Sequence, residues 1–449
     1  MSEILSDLRD ALRCFRHDRL YAAVVVGTLA LTLGASTAVF SIVNGVLLRP
    51  LPYHDAGRLV SIREVLPVVA EQYPSLPVNP HHFEYWRDEA RSFASMAQLF
   101  WRPTNLTGAG DPAQVEVLRA SGTLFDVVEA PVALGRPLTR DDERRENPAV
   151  AVITNALWRD RFASDPRVIG RTLVLDGTPH TIVGVLPPEP RLPSLDSLGA
   201  GGTLRSDFAA VVPLRINLDR VDWMGQFNYG AIARLRQGVT VEQARAELDV
   251  LQQAVTRIAR EKTQENTEVR GWMKPLGESI TGHARGGLLL LLGAVFGVVL
   301  IACANLANLS LTRTLSRMRE HAVRSALGAT RGRLVRRAVL EQVVLAVVGG
   351  ALGLLVAREA LELFVRTAPI DLPRVADVII DWRVLGFAGA TAALAGVGVA
   401  LLPAWRVGRG ELETALHGGR GTTDRGGLRA RASPLISPAT STASADTVA

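Results

Sequence analysis

Residues 286–312 read GGLLLLLGAVFGVVLIACANLANLSLT and contain no charged side chain. The hydrocarbon core of a bilayer takes about 20 apolar residues of helix, so this run is long enough to span it with room for tilt. Working outward, residues 21–48 also carry no charge, and residues 338–357 carry only Glu341. Residues 384–405 lie between Trp382 and Trp405, where aromatic side chains mark the headgroup level. Transmembrane helices are therefore expected at 21–48, 286–312, 338–357 and 384–405, four in all. Of the 449 residues, 48% are apolar and only 5% aromatic. The apolar content is thus aliphatic and small, as suits helices that pack closely in lipid.

The first run is a retained anchor in this reading. It exceeds the ~7–15 apolar residues of a cleaved leader, and its exit, Arg49-Pro50-Leu51-Pro52, has no small-residue cleavage site. Ahead of it, Ile4, Leu8, Leu12 and Phe15 share one helical face while Arg9, Arg13 and Arg16 lie elsewhere. That pattern suits an amphipathic helix over residues 1–20 at the membrane interface, or one docked on protein. Close helix approach is signalled by small residues four apart: Gly293 and Gly297, Gly349 and Gly353, and Ala30 and Gly34. The spacing supports packing without naming a partner helix.

A net charge of +6 fits either nucleic acid or an anionic membrane surface, and the placement of the arginines decides for the membrane. Residues 313–337 hold Arg313, Arg317, Arg319, Arg324, Arg331, Arg333, Arg336 and Arg337 against Glu320 alone. In residues 358–383 acids and arginines balance. Short Arg-rich loops stay in the cytoplasm, so 313–337 is a cytoplasmic loop and 358–383 an external one. Both termini are then cytoplasmic, and the long segment 49–285 is external. The tail, 406–449, is rich in Gly, Ser, Thr and Ala after residue 418 and is expected to be disordered.

The external segment reads as mixed α/β (α+β). Ala149–Thr154 is a short apolar strand leading into a helix at Asn155–Phe162. Arg171–Leu175 and Thr181–Val185 form a hairpin about Asp176-Gly177. A helix is expected over Val241–Arg260, opened by Thr240 and Gln243 at capping-box spacing. The Gly/Ser/Pro-rich residues 187–202 read as a loop or the joint between two subdomains. His81, His82 and Glu84 lack a further spaced metal ligand and read as polar surface. Asp141, Asp142 and Glu143 read as a solvated turn. Cys14 and Cys303 have neither a disulfide nor a metal-site placement. No nucleophile–base spacing and no G-x-x-x-x-G-K-[ST] occurs, so no catalytic, cofactor or metal site is expected in this chain.

The cytoplasmic loop contains Arg319-Glu320-His321-Ala322-Val323-Arg324-Ser325-Ala326-Leu327-Gly328-Ala329-Thr330-Arg331-Gly332-Arg333. This closely resembles the loop of MacB/FtsX-type ABC transporter permeases, which usually have a branched apolar residue where His321 stands. Residues 301–308, IACANLAN, look like the second membrane helix of the same family. Residues 7–13, 40–44 and 48–53 are similar to the first half of the duplicated permeases of acidobacteria. Leu134-Gly135-Arg136 and residues 168–173 resemble the MacB-type periplasmic core domain. The resemblance spans about residues 1–418. Because the duplicated permeases repeat the whole unit, the chain is expected to be either a single-unit permease or one half of a duplicated one.

That resemblance implies a bacterial inner-membrane protein working with a cytoplasmic ABC ATPase dimer, which would carry the ATP-Mg, and with a second permease copy or homologous half. Membrane lipids are the other expected partner, and nucleic acid is not one. The ATPase would dock on the loop through Arg319, Glu320, Ala322, Arg324, Ala326, Leu327, Gly328, Ala329 and Arg331. Small-residue helices without a charged lining favour transmission of force across the membrane over a hydrophilic conduit. A membrane scaffold or sensor whose external domain binds a ligand is the competing expectation.

Overall fold

The computed structural model describes residues 19–190, 192, 208–264, 266–316, 331–367 and 378–397. Helix α1 spans Arg19–Val43 and ends in a π-helical turn, Asn44–Leu48, closed by the Arg49 N–H donating to Asn44 O at 2.8 Å. The chain then enters a water-exposed domain with strands β1 (Leu59–Val65), β2 (Phe93–Thr107), β3 (Ala113–Ala120), β4 (Leu134–Gly135), β5 (Val150–Ile153), β6 (Thr172–Leu175), β7 (Thr178–Val185), β8 (Phe208–Pro213), β9 (Gly230–Leu235) and β10 (Arg270–Pro275). Its helices are α2 (Pro80–Glu89), α3 (Leu124–Val128), α4 (Asn155–Phe162) and α5 (Val241–Thr263). Helix α6 (Leu276–Ser316) returns toward the membrane, followed by α7 (Arg331–Thr367) and α8 (Trp382–Val397).

All ten strands join one sheet in the order β10-β1-β9-β2-β3-β8-β5-β7-β4, with β6 bridging β2 and β7. The β3–β8 and β5–β7 pairs are parallel and the remainder antiparallel. Residues 187–202, read from sequence as a loop or a joint, belong to the connection from β7 to β8 within that sheet, and most of them lie outside the described residues. β8 itself hydrogen-bonds to β3 on one side and β5 on the other, so backbone pairing ties the strands from β10 to β3 to the strands from β5 to β4.

Local chemistry accounts for the elements. Asp176 and Gly177 both take positive φ, +47° and +78°, the geometry of a type I′ turn that matches strand twist, and they close the β6–β7 hairpin. Helix α5 opens on a reciprocal capping box between Thr240 and Gln243 and buries Ala244, Leu248 and Val255 against β1, β9 and β10. Gly122 is needed for close approach: a methyl group there would lie 1.9 Å from Thr139 O.

Two polar clusters are interior rather than surface. His82 and Glu64 are both fully buried; the His82 Nδ1 nitrogen lies 2.5 Å from Glu64 Oε1. Glu64 also accepts from the Asn79 N–H at 2.8 Å and from Gln252 Nε2 at 3.2 Å, while Trp86 Nε1 donates to Gln252 Oε1. The reading of His81–His82–Glu84 as polar surface thus fails for His82. Asn79 N-caps α2 through the His81 N–H, and this turns His82 onto the face that α2 packs on the sheet.

Asp142 departs from a solvated turn in the same way. It is buried and receives both terminal nitrogens of Arg136 at 2.7 and 2.9 Å, plus the Thr139 N–H and hydroxyl. Burial alone would raise the Asp142 carboxyl, but these donors outweigh it and hold the group below the usual carboxylate range. A folded value below the unfolded one stabilises the fold above the unfolded value, and that contribution is lost as pH falls through the folded one. Stability of the exposed domain should therefore drop below about pH 4. Asp142→Asn should be less stable at neutral pH and show a shallower acid limb, as read from unfolding midpoints over a pH series.

Candidate functional site

Helices α1, α6 and α7 are long and apolar enough to cross a membrane. The described part of α8 is shorter than a span, and residues 398–405 of that expected span lie outside the described ones. Two helices overrun the apolar runs read from sequence. Helix α6 starts at Leu276 rather than Gly286, and α7 runs from Arg331 to Thr367 rather than over 338–357. In both, polar helical turns extend the apolar segment, as the Arg358–Glu362 pair does on α7.

The small residues on α1 and α7 meet. A methyl group on Gly34 would lie 2.8 Å from Val356 Cγ1 and 2.9 Å from Gly353 O, and one on Gly349 would lie 2.7 Å from Leu29 Cβ. At Gly353 the nearest atoms are Ala30 O and the Gly34 nitrogen, both at 3.2 Å. Ala30, Gly34, Gly349 and Gly353 therefore form one backbone-to-backbone seam. Gly293 and Gly297 on α6 have no described atom within 4 Å of the corresponding positions. Gly353→Leu should force α1 and α7 apart at a cost of about 1–3 kcal/mol, visible as a lower unfolding midpoint in mild detergent.

Polar contacts pin the helices at each end of this seam. At one end Gln342 Nε2 on α7 donates to Tyr21 OH on α1 at 3.2 Å, and the Arg313 guanidinium of α6 lies 4.1 Å from the Tyr21 ring centroid. These residues flank the loop between α6 and α7. Of the docking residues expected there, Arg319, Glu320, Ala322, Arg324, Ala326, Leu327, Gly328 and Ala329 lie outside the described residues, and Arg331 opens α7. At the other end Asn44 Nδ2 donates to Asp381 Oδ2 at 3.0 Å. The other Asp381 oxygen accepts the Arg383 and Val384 N–H groups at the start of α8. Phe40 of α1 stacks on Phe387 of α8 with centroids 4.0 Å apart, and Phe296 of α6 meets Phe387 edge-on.

The exposed domain is joined to this bundle without slack. β1 and β10 are antiparallel neighbours, with Val60 opposite Pro275, so the chain enters and leaves the domain at one place. Helix α6 begins at the residue after β10 and continues for 41 residues, roughly 60 Å at 1.5 Å per residue. Leu276 is buried in the sheet core and Ile280 packs against it, together with Leu51 and Tyr53 from the α1 connector. Arg234, 2% exposed, clasps that connector: its Nε donates to Val127 O at 2.7 Å and its Nη1 to His54 O at 3.0 Å. Burial pushes the Arg234 guanidinium below its ordinary value, with Glu129 opposing at 3.5 Å. Arg58 adds two bonds to Leu235 O.

The sequence reading did not single out Arg234, Asn44 or Asp381. Arg234 had a signal, since it is the one charge in the otherwise apolar strand GAIARL. The Asn44–Asp381 bond joins residues 337 positions apart and leaves no local trace. Among the described residues no group of His, Cys, Asp or Glu is placed to hold a metal ion.

Comparison with known proteins places this architecture. Residues 22–251 match the MacB-like periplasmic core domain, and residues 292–412 match the FtsX-like permease C-terminal region. Similar curated proteins include the pyoverdine export ATP-binding/permease protein PvdT of Pseudomonas putida, 24% identical over 304 residues, which is 67% of this chain and 42% of that protein. The macrolide export ATP-binding/permease protein MacB of Hahella chejuensis is 25% identical over 234 residues, 52% of this chain and 33% of that protein. The chain thus spans less than half the length of the curated relatives it matches. Among solved structures, the periplasmic region of MacB from Actinobacillus actinomycetemcomitans aligns with 54% of this chain and 95% of its own at 12% identity and a TM-score of 0.35. With the core-domain match alone covering half of its length, the chain belongs to the MacB/FtsX family of ABC-type permeases.

Proposed function

We propose that this permease couples a cytoplasmic ATPase dimer, which carries the ATP-Mg, to movement of the periplasmic domain, as part of an ATP-driven export or mechanotransmission system. The observation that carries this reading is the unbroken run of α6 from the edge strand β10, past a core-buried Leu276, to the loop at Ser316. A rod of that kind delivers a displacement at one end to the sheet at the other, and the α1–α7 seam gives it a packed body to move against. In the proposed topology four spans cross the membrane and both termini are cytoplasmic, as the Arg-rich loop 313–337 requires. A second permease copy or homologous half completes the unit, and the open Gly293/Gly297 face of α6 suits close approach of another helix.

The test is affinity purification of the tagged chain from native membranes in mild detergent, with co-purifying chains identified by mass spectrometry. An ATPase subunit should be recovered with the wild type and lost with Gly328→Trp. Recovery of no ATPase even after cross-linking would sink the coupling reading and leave a membrane scaffold whose periplasmic domain binds a ligand.

A further inference from the structure

A cleft of about 280 Å³ opens on the face of the sheet where the segment between β8 and β9 crosses β2 and β3. Arg102, Arg119, Arg215 and Arg220 line it, with Tyr229 and Phe100 forming an aromatic wall at a centroid separation of 5.2 Å. Phe100 and Arg119 are directly paired across β2 and β3, so the fold places them side by side. Among the described residues none of these four arginines makes an ion pair with a carboxylate. Arg215 spends its donors on the backbone carbonyls of Asp142 and Pro148; Asp142 and Glu146 oppose the burial of its charge without outweighing it. Arg119 Nε is buried with no hydrogen-bond partner.

Such a concentration of cations is costly without a counter-charge. Burial pushes the Arg119 guanidinium below its ordinary value and Arg102 adds to the push, with Asp176 and Tyr229 opposing. Nearby His180 is also lowered, by burial first and then by Arg119 and Arg215. A neighbouring cleft that shares Leu214 and Ile216 shows the contrast. There Arg87 pairs with Glu84 and Glu143, and Arg140 pairs with Asp88.

We propose that the Arg102–Arg119–Arg215–Arg220 cleft is a binding site for a compact, multiply charged phosphate-type oxyanion presented from the periplasm. The planar guanidinium fork matches phosphate oxygens two at a time. The volume lies just below the usual range of ligand pockets, about 300–1,000 Å³, which suits a phosphate or diphosphate group. The bilayer that holds the helices is out of reach. β2 leaves the membrane-side end of the sheet at Phe93, paired with Leu235, and arrives at Phe100 about 20 Å further on at ~3.3 Å per residue. The ligand is therefore a soluble phosphorylated molecule, and the inference stands whether or not the chain transmits force.

The test is isothermal titration of the full chain in neutral detergent with pyrophosphate, and with succinate as the matched carboxylate, at ~0.15 M salt to screen loose surface charge. Saturable binding of one pyrophosphate per chain is expected, weakened at least tenfold by Arg119→Gln and by Arg102→Gln. Neither substitution removes a hydrogen bond that holds the fold, and unchanged unfolding midpoints without ligand verify this. Arg260→Gln, exposed on α5, should bind as the wild type does. Absence of saturable binding, equal weakening by Arg260→Gln, or tighter binding of succinate would overturn the proposal. Repeating the titration in phosphatidylcholine and phosphatidylglycerol nanodiscs separates the sources: loss of pyrophosphate binding only with phosphatidylglycerol would assign the site to a lipid headgroup and overturn the soluble ligand.

Discussion

Gly282→Pro should disconnect the periplasmic domain from the membrane helices while leaving the cytoplasmic side intact. Gly282 lies in α6 between the core-anchored Leu276 and Ile280 and the apolar span that starts near Ala284, and it has open space around it. The substitution is therefore tolerated by the neighbours but not by the helix. Proline removes the N–H that bonds the carbonyl four residues back and clashes with that carbonyl, at a cost of about 3 kcal/mol. The rod becomes two segments with a hinge, and a displacement at Ser316 is absorbed there. A spin label on Glu268, exposed beside β10, should show an ATP-dependent change in separation from a reference label on the exposed α7 residue Leu355 in the wild type. In the variant that change should fall at least tenfold, with ATPase recovery in pull-downs unaltered. An unchanged distance response in Gly282→Pro would show that α6 does not carry the motion.

Glu64→Leu is expected to be the most destabilising single change in the exposed domain. Its carboxylate accepts from the Asn79 N–H, the His82 ring and Gln252, all inside the core of β1, α2 and α5. Leucine fills much of the volume but leaves three buried donors without an acceptor. Removing one partner of a buried ionic or hydrogen-bonded cluster costs about 3–5 kcal/mol, against a total stability of about 5–15 kcal/mol for a domain. Guanidinium unfolding followed by tryptophan fluorescence reads this directly, since Trp86 donates to Gln252 in the same cluster. A loss under about 1 kcal/mol would show that the cluster relaxes or hydrates on substitution.

Most of the architecture is legible along the chain because its signals are local. An apolar run as long as a bilayer is thick, a capping box at Thr240 and Gln243, and an Asp-Gly turn with both residues at positive φ each act within one element. Each needs no knowledge of what lies elsewhere in the molecule. The same holds for the arginine asymmetry of the 313–337 loop, which is a property of composition. The small-residue spacings were legible too, but as an unassigned tendency to pack.

Assignment came only with the tertiary structure. Ala30 and Gly34 meet Gly349 and Gly353, while Gly293 and Gly297, with the same spacing, face no described neighbour. Spacing fixes which side of a helix is narrow, and the positions of other helices fix what fills it. His82 and Asp142 looked like surface residues because polar side chains in short segments usually are. Their burial depends on partners at Glu64 and Arg136 that the fold brings within hydrogen-bonding distance. The arginine cleft is the extreme case, since Arg102, Arg119, Arg215 and Arg220 come from two paired strands and a distant crossover segment. Sequence by itself determined three helices of membrane-spanning length, the α/β character of the exposed domain and the family, since these rest on short-range chemistry. Which charges are cancelled and which are left waiting for a ligand was decided by long-range pairing, which no periodicity encodes.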